Sequence, residues 1–198
     1  MSKKLEFIFD FGSPNAYLAY HALPEVLAST GAELEIVPCL LGGIFKLTDN
    51  QPPMLAHGKV KGKLDYEKKE MHRFIVKHGL SKFKFNAHFP VNTLILMRGA
   101  IAVADSDLQR YVEVGLKAMW EDSLKMDDPE VFVQCMNAAG FDGADLLTRT
   151  QEADVKAKLA ENTANAVERG VFGIPSFFVG EELFFGKDRL AQVEEELS

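Results

Sequence analysis

Strand-period sequence occurs at the two ends of this chain and is missing from the long stretch between them. Leu5, Phe7, Phe9 and Phe11 alternate with Glu6, Ile8 and Asp10, the period of an amphipathic strand with one strongly aromatic face. "AELEIVPCLL", residues 32–41, reads as a second strand, with a helix between the two that opens at Ser13-Pro14, carries Pro24 as a restart or kink and stops near Gly31. "LGGIF" closes that unit. From about Phe45 to Gly170 the sequence reads as helices separated by Gly, Pro and Asp, including "KGKLDYEKKEMHRFIVKHG", "NTLILMRGAIAVA", "DLQRYVEVGLKAMW", "DPEVFVQCMNAAG" and "ADVKAKLAENTANAVERG". After Gly170, "PSFFVGEELFFG" is a hairpin of two short aromatic strands turning at Gly180-Glu181-Glu182, followed by the helix "KDRLAQVEEEL". A single sheet of all four strands has to join the two ends of the chain.

Strand, helix, parallel strand at the front and hairpin plus helix at the back is the element order of a thioredoxin-like sheet. The expected class is therefore α/β, a thioredoxin-like fold with a large all-helical insertion. Residues 1–44 and 160–198 would form the thioredoxin-like domain and residues 45–159 the inserted helical domain. With 47% hydrophobic residues over 198 positions, the chain can bury a sizeable core. The net charge of -7 supplies no dominant positive field, which argues against nonspecific binding to nucleic acid or to an anionic membrane. No apolar run approaches the roughly 20 residues that span a bilayer, and the amphipathic N-terminus is not a signal peptide. Cys39 and Cys135 lie in unlike contexts and read as reduced thiols of a cytoplasmic protein. The five histidines lack ligand spacing, so no metal site is expected, and Trp120 falls at helical spacing with Tyr111 and Met119 as core.

Ser is a favoured N-cap and Pro a favoured first helical residue, so Ser13-Pro14 is sufficient as a helix start with no chemistry. In a thioredoxin-like fold, however, this helix N-terminus presents the thiol-handling group, because its free N–H groups and dipole favour an anion. Ser13-Pro14-Asn15-Ala16 occupies the place of a Cys-x-x-Cys, which leaves no dithiol for disulfide exchange there. A serine hydroxyl would instead donate to an external thiolate, and glutathione is the common soluble thiol. Lowering a thiol pKa by about two units corresponds to about 2.7 kcal/mol. One hydroxyl donor to an anion, about 1.5 to 3 kcal/mol, with a helix N-terminus, about 0.3 to 1, has that magnitude. Pro175 in "GVFGIPSFFV" stands where such folds hold a cis proline, which would turn the Ile174 backbone toward a peptide ligand. A trans proline entering an edge strand is the alternative.

The stretches "FDFGSPNAYLA", "DNQPPMLAHGK", "HFPVNTLILMRGA", "GVFGIPSFFVG" and "ELFFGKDRL" occur in that order over essentially the whole chain. Together they resemble the 2-hydroxychromene-2-carboxylate isomerases and the related kappa-class glutathione transferases of the DsbA-like thioredoxin superfamily. The resemblance implies that Ser13 contacts the glutathione sulfur, that Asn50 and Lys59 reach glutathione from the insertion, and that Ile174 and Pro175 pair with its cysteinyl backbone. It also implies that Asp188, in its own right a credible N-cap of the last helix, holds the γ-glutamyl group. Lys59 is otherwise one more solvated charge in a basic run. Asn15 departs from a frequent aromatic residue and Lys187 from a small polar one, and both border the expected site. The implied function is a glutathione-dependent isomerase of aromatic catabolic intermediates, working as a homodimer on a small-molecule aromatic substrate. The alternatives are a kappa-like glutathione transferase or peroxidase, and a noncatalytic thioredoxin-fold binding module.

Overall fold

The computed structural model describes residues 3–198. Strand β1, Lys4–Phe9, pairs in parallel with β2, Glu33–Pro38, through helix α1, Pro14–Thr30. Its other edge pairs antiparallel with β3, Ser176–Val179, from Leu5↔Val179 to Ile8↔Ser176. Strand β4, Glu182–Phe185, completes a four-stranded sheet in the order β2-β1-β3-β4. The hairpin turn is Gly180-Glu181, with Glu182 already in β4, and Gly180 takes the positive φ of 58° that such a turn needs.

Both faces of β1 are covered. Leu5, Phe7 and Phe9 are buried as the alternation predicts, but Ile8 and Asp10 are buried as well. On one face Phe7 stacks on its cross-strand partner Phe177 at 5.4 Å and on Tyr20 of α1 at 6.2 Å. The last helix, α10 (Leu190–Leu197), packs on α1 and β3. On the other face the Arg169 guanidinium lies 3.6 Å from the Phe178 ring centre and pairs with Glu6. Helix α9, Ala153–Glu168, covers β2 there. Helix α1 runs unbroken through Pro24, whose ring is exposed, and ends at Gly31 with φ 68°.

Between β2 and β3 stand α2 (Leu41–Thr48), α3 (Pro53–Ala56), α4 (Lys63–Lys77), α5 (Leu94–Ala102), α6 (Asp105–Trp120), α7 (Pro129–Ala138), α8 (Gly143–Arg149) and α9. "LGGIF" therefore opens a helix instead of closing a strand unit. The expected divisions at 44/45 and 159/160 fall inside α2 and α9, and α9 packs on β2, α2 and α5 together. Trp120 is fully buried as expected, and its Nε1–H donates to the Phe11 carbonyl at 2.8 Å, tying the end of α6 to the β1–α1 loop. Among the described residues no helix is long and apolar enough to cross a membrane.

The α6 contact on that loop is close. A Cβ on Gly115 would lie 2.9 Å from Cζ and 3.0 Å from Cδ1 of the fully buried Phe11 ring, closer than Cβ contacts come. Gly115→Ala is expected to cost about 1–3 kcal/mol by overpacking, whereas Gly42→Ala in α2, with open space at its Cβ, should be neutral or stabilising. Urea unfolding of the two variants checks the contrast.

Candidate active site

The C-terminal end of β1 turns sharply into α1. The Ser13 N–H donates to the Asp10 carbonyl at 3.1 Å, and the Gly12 N–H to Asp10 Oδ1 at 2.8 Å. Ser13 is the N-cap, with extended backbone (φ -94°, ψ 114°), and its Oγ accepts from the Ala16 N–H at 3.2 Å. Pro14 follows at the first helical position. The capping role is thus present. The same hydroxyl has a second partner: it donates to the Ile174 carbonyl at 3.2 Å, and Ser13 is only 4% exposed. A hydroxyl has one proton to donate, and here that proton crosses between the two ends of the chain.

The Ile174-Pro175 peptide is cis, as its position predicts; Phe89-Pro90 is also cis, which the sequence reading did not anticipate. The Pro175 carbonyl accepts from the Gly186 N–H at 2.9 Å, and Ser176 Oγ donates to the Gly173 carbonyl at 2.8 Å, so both sides of Pro175 are anchored. Ile174 is buried, and its carbonyl is directed onto Ser13 instead of standing open.

The other expected site residues are brought in unequally. Asn50 Nδ2 donates to the Phe172 carbonyl at 2.8 Å, binding the end of α2 to the segment that carries Ile174. Asp188 lies two residues past Gly186, in a 3-10 turn over Lys187–Arg189. It does not cap α10: the residue before that helix is Arg189, with no side-chain cap bond, because the tighter turn moves the start of the helix beyond Asp188. Its carboxylate, 65% exposed, instead pairs with Lys187 Nζ at 2.7 Å. Lys187 is buried, with its ammonium 5.1 Å from the Phe74 ring centre of α4. Lys59 is exposed in the turn between α3 and α4 and makes no ion pair among the described residues. Ser13, Ile174, Pro175 and, through Phe172, Asn50 form one connected group; Asp188 joins it through Gly186, and Lys59 stands apart.

Asp10 was missed as part of this group. It is 1% exposed and accepts from the Gly12 N–H, the Leu41 N–H (2.7 Å) and Thr93 Oγ1 (2.6 Å). Burial pushes its carboxyl above the ordinary carboxylate range, against the opposing pull of those three bonds. An acid inside an otherwise apolar strand end was the available sign.

Neither cysteine is equipped for redox work. Burial, with the nearby Asp10 charge second, pushes the Cys39 thiol up to about 12, and its Sγ donates to the Asn162 carbonyl at 3.4 Å. Burial also raises Cys135, and both thiols are free.

The profile of the DSBA-like thioredoxin domain family matches residues 4–198. The chain belongs to that family. It is 28% identical over 193 residues to the 2-hydroxychromene-2-carboxylate isomerase of Pseudomonas sp. (strain C18), spanning 96% of this chain and 88% of the relative. It is also 28% identical over 200 residues to glutathione S-transferase kappa 1 of Rattus norvegicus, spanning 94% and 87%. A solved structure of a 2-hydroxychromene-2-carboxylate isomerase superposes with a TM-score of 0.83 at 27% identity, over 97% of this chain and 93% of the other. The likeness thus extends over the sheet and the helical segment together.

At pH 8 a thiol of pKa about 12 is ionised in roughly one molecule in ten thousand. Cys39 should therefore react with an aromatic disulfide reagent only after unfolding, and the folded protein should show no thiol faster than free cysteine.

Proposed function

We propose that this protein is a glutathione-dependent isomerase of 2-hydroxychromene-2-carboxylate-type compounds. The observation that carries the reading is the buried Ser13 hydroxyl at the N-terminus of α1, set against the Ile174 carbonyl of a cis X-Pro pair. The full-length similarity to isomerases bearing that name supports the substrate class.

The residues fit a thiol-bearing peptide. Pro14 has no N–H, and the Asn15 N–H, in the first turn, has no helical carbonyl to reach. Ser13 Oγ–H and the end of α1 therefore form a donor group suited to an anion. For Ser13 to donate to a thiolate, its proton must leave the Ile174 carbonyl, and an amide N–H of the bound peptide would take up that carbonyl. Ser13 is the catalytic residue on this reading. Ile174 and Pro175 hold the cysteinyl backbone, Asn50 borders it, Lys59 neutralises a carboxylate when its turn approaches, and Asp188 receives the γ-glutamyl ammonium. Lys187, whose ammonium is buried while the Asp188 carboxylate is exposed, competes for that carboxylate. When bound, glutathione supplies a nucleophile that adds reversibly to the substrate's conjugated framework, frees a double bond to rotate, and is regenerated.

The similarity to glutathione S-transferase kappa 1 favours one second reading, a kappa-like transferase that consumes the thiol. The test is the absorbance spectrum of 2-hydroxychromene-2-carboxylate with and without glutathione, together with a count of free thiol. Interconversion with its trans-benzylidenepyruvate isomer at constant thiol is expected. No interconversion, with stoichiometric thiol loss to a model electrophile, would assign the transferase.

Two variants locate the chemistry. Ser13→Ala should cost about 0.5–2 kcal/mol of stability through the lost cap, leave the fold intact, and return most of the bound glutathione thiol to its free ionisation. Thiolate absorbance against pH reads that change, and identical titrations in the two proteins would reduce Ser13 to a helix cap. Asp188→Asn should weaken glutathione binding several-fold with the thiol ionisation retained, which isothermal titration would show.

A further inference from the structure

The buried Asp10 carboxylate collects donors from three separate parts of the chain. Gly12 N–H and Thr93 Oγ1 both donate to Oδ1, at 2.8 and 2.6 Å, and Leu41 N–H donates to Oδ2 at 2.7 Å. Gly12 belongs to the loop that ends in Ser13, Leu41 begins α2, and Thr93 immediately precedes α5. Asp10 also receives the Ser13 N–H on its own carbonyl at 3.1 Å. The packing around it leaves little slack, since a Cβ on Gly12 would lie 3.3 Å from Thr93 Cγ2. The Leu41 arm is held from behind, because the neighbouring Leu40 N–H donates to Thr163 Oγ1 of α9 at 3.0 Å.

We propose that Asp10 is a positioning residue for the thiol-handling hydroxyl, locking the Gly12-Ser13 loop to α2 and to the start of α5. The assignment rests on the function proposed above for Ser13. Ser13 Oγ lies 3.2 Å from both of its partners, so a small displacement of the loop removes either contact. Of the two bonds that hold Gly12 and Ser13 to Asp10, only the Gly12 bond ends on the carboxylate, and Thr93 fixes that same oxygen from the helical side. Thr93 therefore transmits the position of the helical segment to the helix cap through a single carboxylate oxygen.

The experiment compares Thr93→Val, which deletes one donor at nearly constant shape, and Asp10→Asn, which turns one acceptor corner into a donor. Thr93→Ser serves as the conservative variant. Val193→Ala, in the buried face of α10, is the control for general destabilisation. Amide hydrogen exchange in the free protein should rise at least ten-fold at Gly12, Ser13 and Ala16 in Thr93→Val beyond the rise in Val193→Ala, and fall back in Thr93→Ser. With glutathione bound, the thiolate absorbance midpoint should move up by about one pH unit in Thr93→Val and stay in place in the control. If Asp10→Asn does not fold, the two Thr93 variants decide the matter. Exchange no faster than in Val193→Ala overturns the assignment, as does an unmoved midpoint in Thr93→Val when the wild type depresses it. A wild type that does not depress the bound thiol removes the proposed function of Ser13, and the exchange measurement alone then decides whether Asp10 positions the loop.

Discussion

The antiparallel pairing of β1 with β3 is the constraint from which the site follows. Leu5↔Val179 through Ile8↔Ser176 sets the register, so the residues leaving β1 and those entering β3 emerge from the same end of the sheet. Ser13 and Ile174, 161 positions apart in sequence, meet there at 3.2 Å. A slip of one residue would put every side chain of β3 on the opposite face, exchanging Phe177 for Phe178 against α1 and separating Phe7 from its stacking partner. The aromatic pairs that bury the sheet therefore also hold the two halves of the site in line. Closing so long a loop is not prohibitive: three doublings beyond a 20-residue loop add roughly 2 kcal/mol, and the intervening helices order themselves.

What could be read from the sequence divides along the range of the interactions. The Ser13-Pro14 cap, the Gly31 stop and the first strand are local chemistry, and they stand where the residues predict them, although burial of Ile8 adds a second covered face to that strand. The "LGGIF" helix was not legible, because two glycines each cost about 0.5–1 kcal/mol in a helix. What forms α2 is non-local: Ile44 is fully buried and α9 packs against the helix. Asp10 was hidden for the same reason, since its partners come from residues 41 and 93 as well as 12. Asp188 shows the opposite error. Its residue type suits a cap, but the chain takes a 3-10 turn and the carboxylate goes to Lys187.

The Ser13–Ile174 bond also bears on which thiol the site would take. Removing the Ser13 proton from the Ile174 carbonyl leaves a buried acceptor unpaired, at a cost of about 1–3 kcal/mol, while a hydroxyl donated to an anion returns about 1.5–3. For a thiol with no other group these terms nearly cancel, and the hydroxyl gains little by turning. A ligand carrying both a thiolate and a nearby amide N–H changes the balance, because the N–H satisfies the carbonyl as the serine leaves it. The cysteinyl residue of a peptide has those two groups on one unit, with the N–H and the sulfur on substituents of the same carbon. On the proposed function, the resting hydrogen bond favours a peptide thiol over a simple one, and the Ser13 hydroxyl that donates to the Ile174 carbonyl is the group that such a ligand would have to turn.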